Sequence, residues 1–171
     1  IQGNPSGLQN VGSVRSPGFE AAGDLKLGSN FSLYASYSYT DATYRDDVVD
    51  GDGKVISPIK GKTLTDSPEH MARGELAYDD GKLFGRVGLN WMSERYFTYL
   101  NDESVDARLL ADASLGYRFT DKIELQLNAT NLFDKQYIAT VGSGGYGDSG
   151  DRQTLLVGAP RQVFVTLKAG F

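Results

Sequence analysis

Along most of this chain apolar and polar residues alternate with a period of two. In Phe31 to Thr40 the odd positions carry Phe31, Leu33, Ala35, Tyr37 and Tyr39, and the even ones include Ser32, Ser36, Ser38 and Thr40. Ile123 to Leu132 sets Ile123, Leu125, Leu127 and Ala129 against Glu124, Gln126, Asn128 and Thr130. At the end Val163, Val165, Leu167, Ala169 and Phe171 alternate with Gln162, Thr166, Lys168 and Gly170, with Phe164 as an apolar intruder. Such alternation predicts antiparallel strands with one apolar and one polar face. Weaker versions cover Phe19 to Leu27, His70 to Tyr78, Leu83 to Trp91 and Leu109 to Phe119. Helix formers are frequent in Val105 to Leu115, but six alternating residues from Leu109 to Phe119 favour strand there too. Seven strands result, with negligible helix.

The connections sort by length. Gly28-Ser29-Asn30, Asp79 to Lys82 and Thr120-Asp121-Lys122 read as tight turns, with Gly, Asn and Asp where hairpins want them. Between them run long links at Asp46 to Thr63, Tyr99 to Asp106 and Ala139 to Pro160. Strict alternation of short and long links in an up-and-down meander puts every short turn on one rim and every long loop on the other. Transmembrane barrels have this form, whereas a Greek-key sandwich has no reason to sort its loops.

Composition narrows the reading. The 171 residues include 21 Gly, 10 Tyr and 8 Phe but only 5 Pro, a balance that suits strands and turns. With no Cys and a single His, His70, disulfides, thiolate metal sites and multi-histidine centres are excluded. A net charge of −5 argues against a nucleic-acid partner. No run approaches the roughly 18 apolar residues of a spanning helix, a test that does not register β-barrels.

The polar face holds Arg73, Glu75, Arg86, Glu124 and Lys168. Burying them in a dry sandwich core is costly, and a hydrated lumen removes that cost. The apolar face, with Phe31, Leu33, Tyr37, Leu125, Leu127, Val165 and Leu167, is then expected to meet lipid. Phe31, Tyr39, Tyr44, Tyr78, Trp91, Tyr96, Phe119, Tyr137 and Phe171 stand near strand ends as candidates for interfacial girdles. Seven strands leave two open edges, which hydrocarbon does not tolerate. The expectation is therefore a piece of a larger barrel, cut from a longer exported chain.

Asn131-Leu132-Phe133-Asp134-Lys135-Gln136-Tyr137, then Gly158-Ala159-Pro160-Arg161 and a last strand closing on Phe171, resemble the C-terminal end of a TonB-dependent outer-membrane receptor. Weaker likenesses lie in Asn10-Val11-Gly12, Gly18-Phe19-Glu20, Tyr37 to Ala42 and Pro68-Glu69-His70. The resemblance implies that residues 1–171 are a C-terminal segment of a roughly 22-stranded transmembrane β-barrel. It also implies an outer-membrane location in a Gram-negative bacterium, contact with outer-membrane lipid, and uptake of scarce nutrients, ferric siderophores first among them. The plug and TonB-contacting box that the family uses have no counterpart in these residues, so TonB is expected to act through the missing plug region. The terminal strand, Val163, Val165, Leu167, Ala169 and Phe171, is expected to be read by the barrel-assembly machinery.

Candidates for contact with a small-molecule or metal-chelate ligand are Tyr96, Tyr99, Tyr146 and Arg152, in or beside long loops. Gly142 to Gly147 lacks the Gly-Lys-Ser/Thr of a phosphate loop and opens no helix. Asp46 to Lys54 has oxygens at calcium-like spacing but no Glu at the closing position. It reads as a solvated acidic loop, with weak surface calcium binding as the alternative. No metal site or cofactor is predicted, and no nucleophile, base and orienting group can be assembled, so an enzyme is not expected. Alternatives are another outer-membrane barrel, such as a porin or autotransporter translocator, and a soluble β-sandwich binding module.

Overall fold

The computed structural model describes residues 13–142 and 154–170. Its frame is one sheet of seven strands: β1 (Gly18–Leu27), β2 (Phe31–Thr40), β3 (His70–Asp79), β4 (Leu83–Met92), β5 (Arg108–Thr120), β6 (Ile123–Thr130) and β7 (Gln162–Ala169). Each pairs antiparallel with its neighbours in chain order, so the sheet is an up-and-down meander. No helix occurs among the described residues. The ambiguous stretch from Val105 to Leu115 divides into a short ribbon strand at Ser104–Val105 and the start of β5. Its alternating apolar face outweighs its helix formers.

Register carries the pattern across the sheet. Leu25 pairs with Leu33, Leu33 with Leu76, Leu76 with Val87, Val87 with Ala113, Ala113 with Ala129 and Ala129 with Val163. One apolar face therefore runs without interruption over seven strands, and a one-residue slip anywhere would break it. These side chains have no second layer over them: Val165 is 69% and Leu167 67% exposed. Two aromatic belts border the face. At the long-loop end Phe19 meets Tyr37 and Tyr39, both tyrosines meet His70, and His70 meets Trp91, with ring centroids 5.1–6.5 Å apart. At the short-turn end Phe31 meets Tyr78 at 4.8 Å and Tyr117 meets Phe119 at 5.0 Å. Tyr39 and Phe31 are eight residues apart on β2, about 26 Å along a strand.

The opposite face is ionic. Arg73 and Arg86 flank Glu75 at 3.1 and 3.9 Å. Arg118 holds Asp79 with both terminal nitrogens, at 2.8 and 3.0 Å, and also reaches Glu124 at 3.3 Å. The Arg118 guanidinium lies 4.1 Å from the centroid of Phe84, whose ring covers Gly116.

Turn chemistry follows from particular residues. Gly28 and Gly81 take φ of 82° and 94°, where a Cβ would be strained. Asp80 Oδ1 accepts the Lys82 and Leu83 backbone N–H groups at 2.9 and 2.7 Å, which holds the carboxyl below the usual aspartate range. Thr120 Oγ1 accepts those of Lys122 and Ile123 beside an irregularity in the β5–β6 register.

Candidate functional site

The compact core lies in the long loops. Four ribbons extend beyond the sheet at the long-loop rim: Val14–Arg15 with Thr43–Tyr44, Val48–Val49 with Val55–Ser57, Arg95–Tyr96 with Ser104–Val105, and Ile138–Gly142 with Thr154–Val157. Tyr44, Val48, Ile59 and Tyr99 bury together, with Leu64 beside them. Burial pushes the Tyr44 hydroxyl pKa up. Asn101, at φ 57°, clips the β2–β3 and β4–β5 loops: its amide accepts from Thr63 N at 2.6 Å and donates to Thr63 O at 3.0 Å. The acidic stretch is fastened mainly to backbone. Asp50 Oδ1 accepts from Asp52 and Lys54, Asp47 Oδ1 from Lys60, and Asp46 Oδ2 from both the N–H and the hydroxyl of Ser13.

The Asn131 to Tyr137 motif and the Gly158 to Arg161 motif lock onto each other. Asn131, at φ 49°, ends β6 two residues before the alternation in the sequence runs out, and Asp112 caps its N–H at 2.9 Å. Its side-chain amide donates to the carbonyls of Lys135 and Ala159 and accepts from Lys135 N. Asp134 Oδ1 accepts from Arg161 N at 2.8 Å. Tyr137 lies against Gly158 so closely that a Cβ there would stand 2.0 Å from the ring. The spaced sequence elements are two halves of one fastening at the rim, between the end of β6 and the start of β7.

Next to this fastening sits a cationic network. Arg95, its side chain only 6% exposed, pairs with Asp66 at 2.9 Å and donates to the carbonyls of Ile138 and Ala139 at 2.7 and 3.3 Å. Arg108, the first residue of β5, donates to the same Ile138 carbonyl at 3.4 Å and lies 4.8 Å from the Tyr137 centroid. A cleft of about 600 Å³ opens between residues 105–108 on one side and residues 134–138 with Val157, Gly158 and Pro160 on the other.

Of the four residues singled out for ligand contact, two lie among those described. Tyr96 is half-buried in its ribbon and borders a smaller cleft of about 260 Å³ with Glu69, His70 and Ser93. Tyr99 is buried in the loop core, 6.1 Å from Tyr44. The structure does not unite them in one cleft. Tyr146 and Arg152 lie outside the described residues, as do Phe171 and most of the glycine-rich loop. Val163, Val165, Leu167 and Ala169 share one face of β7, each opposite an apolar residue of β6. Tyr44 and Tyr137 belong to loop packing and not to the aromatic belts, whereas Tyr39, Trp91, Phe31, Tyr78 and Phe119 stand in the belts. Sequence reading missed Arg95, Arg108 and Asp66. Arg108 was open to detection, since it falls on the polar phase of β5 next to an apolar run. Nothing local marks Arg95 or Asp66.

Comparison with known proteins places this architecture. A family model described as TonB dependent receptor-like, beta-barrel matches residues 1–132. The ferric-pyoverdine M114 receptor PbuA of Pseudomonas sp. (strain M114) is 30% identical over 170 residues, 95% of this chain and 19% of that receptor. The ferrioxamine B receptor of Salmonella typhimurium (strain SL1344) is 28% identical over 147 residues, 81% of this chain and 20% of that protein. Among solved structures, the siderophore receptor PiuA from Acinetobacter baumannii superposes with a TM-score of 0.77 at 21% identity, over 94% of this chain and 22% of that one. The ferric citrate transporter FecA, unliganded, gives 0.73 at 22% identity, over 91% and 24%. The chain thus spans about a fifth of the length of the relatives it matches.

Proposed function

The chain belongs to the TonB-dependent receptor β-barrel family, and from that premise we propose that it is part of a receptor that takes up ferric siderophores. Its place is the outer membrane of a Gram-negative bacterium. The observation that carries the reading is the sheet itself: an unbroken apolar face between aromatic belts on one side, and an ionic face on the other. Seven such strands suit a barrel wall, with lipid outside and water within. Both edges, β1 and β7, must pair with further strands for the wall to close. Residues 1–171 accordingly form a segment of one barrel domain, with short turns on the periplasmic side and the fastened loops outside.

The receptors it matches carry names of ferric-pyoverdine and ferrioxamine B binding, which supports a ferric chelate as ligand. Candidate contacts are Tyr96, at its cleft, and Tyr146 and Arg152, which lie outside the described residues; Tyr99 contributes by packing the β4–β5 loop, which carries Tyr96, against the β2–β3 loop. TonB would act through a plug elsewhere in the receptor. The barrel-assembly machinery would read Val163, Val165, Leu167, Ala169 and Phe171. The activity is transport and not catalysis, in keeping with a family of receptors and transporters.

Deletion of the full-length gene should abolish growth on the cognate ferric siderophore as sole iron source, and re-expression should restore it only in cells with active TonB. Growth that persists after deletion in a strain without another receptor for that siderophore would overturn the reading. Restoration without TonB would favour a porin.

A further inference from the structure

We propose that the cleft between residues 105–108 and residues 134–138 and 157–160 binds an anionic oxygen group of the transported chelate, with the Arg108 guanidinium as its anchor. The inference rests on the uptake reading above and adds the charge class of the ligand.

Two guanidinium groups, Arg95 and Arg108, converge on the single carbonyl of Ile138. One carboxylate stands with them, Asp66; it pairs with Arg95 at 2.9 Å and attracts Arg108 only through space, without an ion-pair contact. Arg108 makes one hydrogen bond, the longer one to that carbonyl, and its Nε is buried with no hydrogen-bond partner among the described residues. An orphaned charged donor is expensive to bury, and an acceptor oxygen would remove the penalty. Its freedom to swing away is small, because Tyr137 stands against it and is itself seated on Gly158. The donor is therefore held in place before any ligand arrives.

The cleft has room for such a group, at about 600 Å³. Its two carboxylates do not answer Arg108. Asp134 is committed to the backbone of Arg161, and Asp106 is exposed to solvent and makes no ion pair with Arg108. Lys135 adds a second cation to the wall. Arg108 also borders a groove of about 590 Å³ that runs down the ionic face past Ser36, Arg73 and Asn90. One guanidinium thus stands where a rim cleft meets the polar wall.

The test uses the full-length receptor in detergent, with ligand binding followed by quenching of tryptophan fluorescence. Ferric citrate and a ferric tris-catecholate are the anionic probes, and a neutral ferric trihydroxamate is the control. Arg108→Gln should weaken binding of an anionic probe by about tenfold or more, the scale of one charge-assisted hydrogen bond. Binding of the neutral chelate should change less than about twofold on the same scale. Arg108→Lys, which keeps the charge but lacks Nε, should fall between. Heat-modifiable migration on gels checks that each variant is folded; if Arg108→Gln is not, Arg108→Lys alone must show the selective loss. Equal loss for both charge classes, no loss for a bound anionic probe, or a wild-type receptor that binds only the neutral chelate would overturn the inference and leave the uptake reading standing. A wild-type receptor that binds no ferric chelate would overturn both.

Discussion

The ring of Tyr137 rests on Gly158, and a Cβ at that glycine would lie 2.0 Å from Tyr137 Cζ. The contact spans the hairpin that joins β6 to β7, and the Gly158 N–H donates to the Tyr137 carbonyl at 2.8 Å in the same place. A tyrosine and a glycine that stand 21 positions apart in sequence are therefore one unit. Gly158→Ala should destabilise the barrel rim by about 1–3 kcal/mol, the scale of an overpacked site. Tyr137→Leu in the same chain should recover part of that loss, since the smaller side chain gives way. Thermal unfolding of the full-length receptor, read by heat-modifiable migration, checks both.

The face assignment makes an asymmetric prediction on neighbouring residues. Leu127 sits on the apolar face opposite Leu115 and Val165, while Gln126 faces the ionic side. Leu127→Arg should cost about 2–4 kcal/mol if it lies near the bilayer midplane, and Gln126→Arg should be close to neutral. Folding yield into vesicles measures the difference. Equal effects would mean that the two faces do not meet different solvents.

Most of the sheet was legible because its signal is local. Period two survives in every long strand, and turn residues such as Gly28 and Gly81 mark the hairpins. The common face of Leu33, Leu76 and Val87 followed from the same period, since a one-residue slip would split it, whereas a two-residue slip would not, so the register itself is read only from the structure. The loops were not legible. Tyr99 looks like an exposed loop aromatic in sequence, yet the β2–β3 and β4–β5 loops fold onto each other and bury it with Tyr44. That contact joins segments more than fifty residues apart and leaves no periodic trace. The end of β6 shows the same limit on a smaller scale. Alternation continues to Leu132, but the positive φ of Asn131, capped by Asp112, stops the strand at Thr130.

Loop fastening should depend on pH in one direction only. Asp46 accepts two hydrogen bonds from Ser13, and these hold its carboxyl below the ordinary aspartate value of 3.8. A depressed carboxyl contributes stability above its unfolded value and loses it as pH falls through the folded one. The clip should therefore persist through the neutral and mildly acidic range and open only in stronger acid. Amide exchange at Ser13 reads the opening, and Asp46→Asn should remove this acid dependence.

The end of the chain can be separated from its loops in assembly. If the apolar residues of β7 and Phe171 are recognised during insertion, Phe171→Ala in the full receptor should lower its surface abundance with little change in synthesis. Deleting residues 143–150 should spare assembly, since the flanking ribbon already pairs Gly142 with Thr154 and the deleted sequence is rich in Gly and Ser, as expected of a tolerant connection. Surface labelling against total protein gives both answers. Unchanged abundance for Phe171→Ala would remove the recognition role.

These 171 residues should not form a monomer in plain buffer. Each of β1 and β7 pairs with a single neighbour in the sheet, so both present a row of unpaired backbone groups. The loop core is small, with Ile59 and Thr98 its largest fully buried side chains, and it does not cover the sheet. The apolar face stays open over seven strands, with Leu115, Val87 and Val163 each more than half exposed. Such a surface far exceeds the roughly 300–600 Å² patch that soluble monomers usually show. Water therefore neither blocks the edges from pairing with other chains nor covers the face, whereas detergent covers the face and leaves the edges open. The isolated segment should aggregate in buffer and remain oligomeric or poorly folded in detergent, and it should reach a heat-modifiable state only with the strands that flank it. Sedimentation and gel migration of the segment, with and without those strands, measure this. A monomeric sample in buffer that melts cooperatively would contradict the membrane assignment of the apolar face and return the soluble sandwich to consideration.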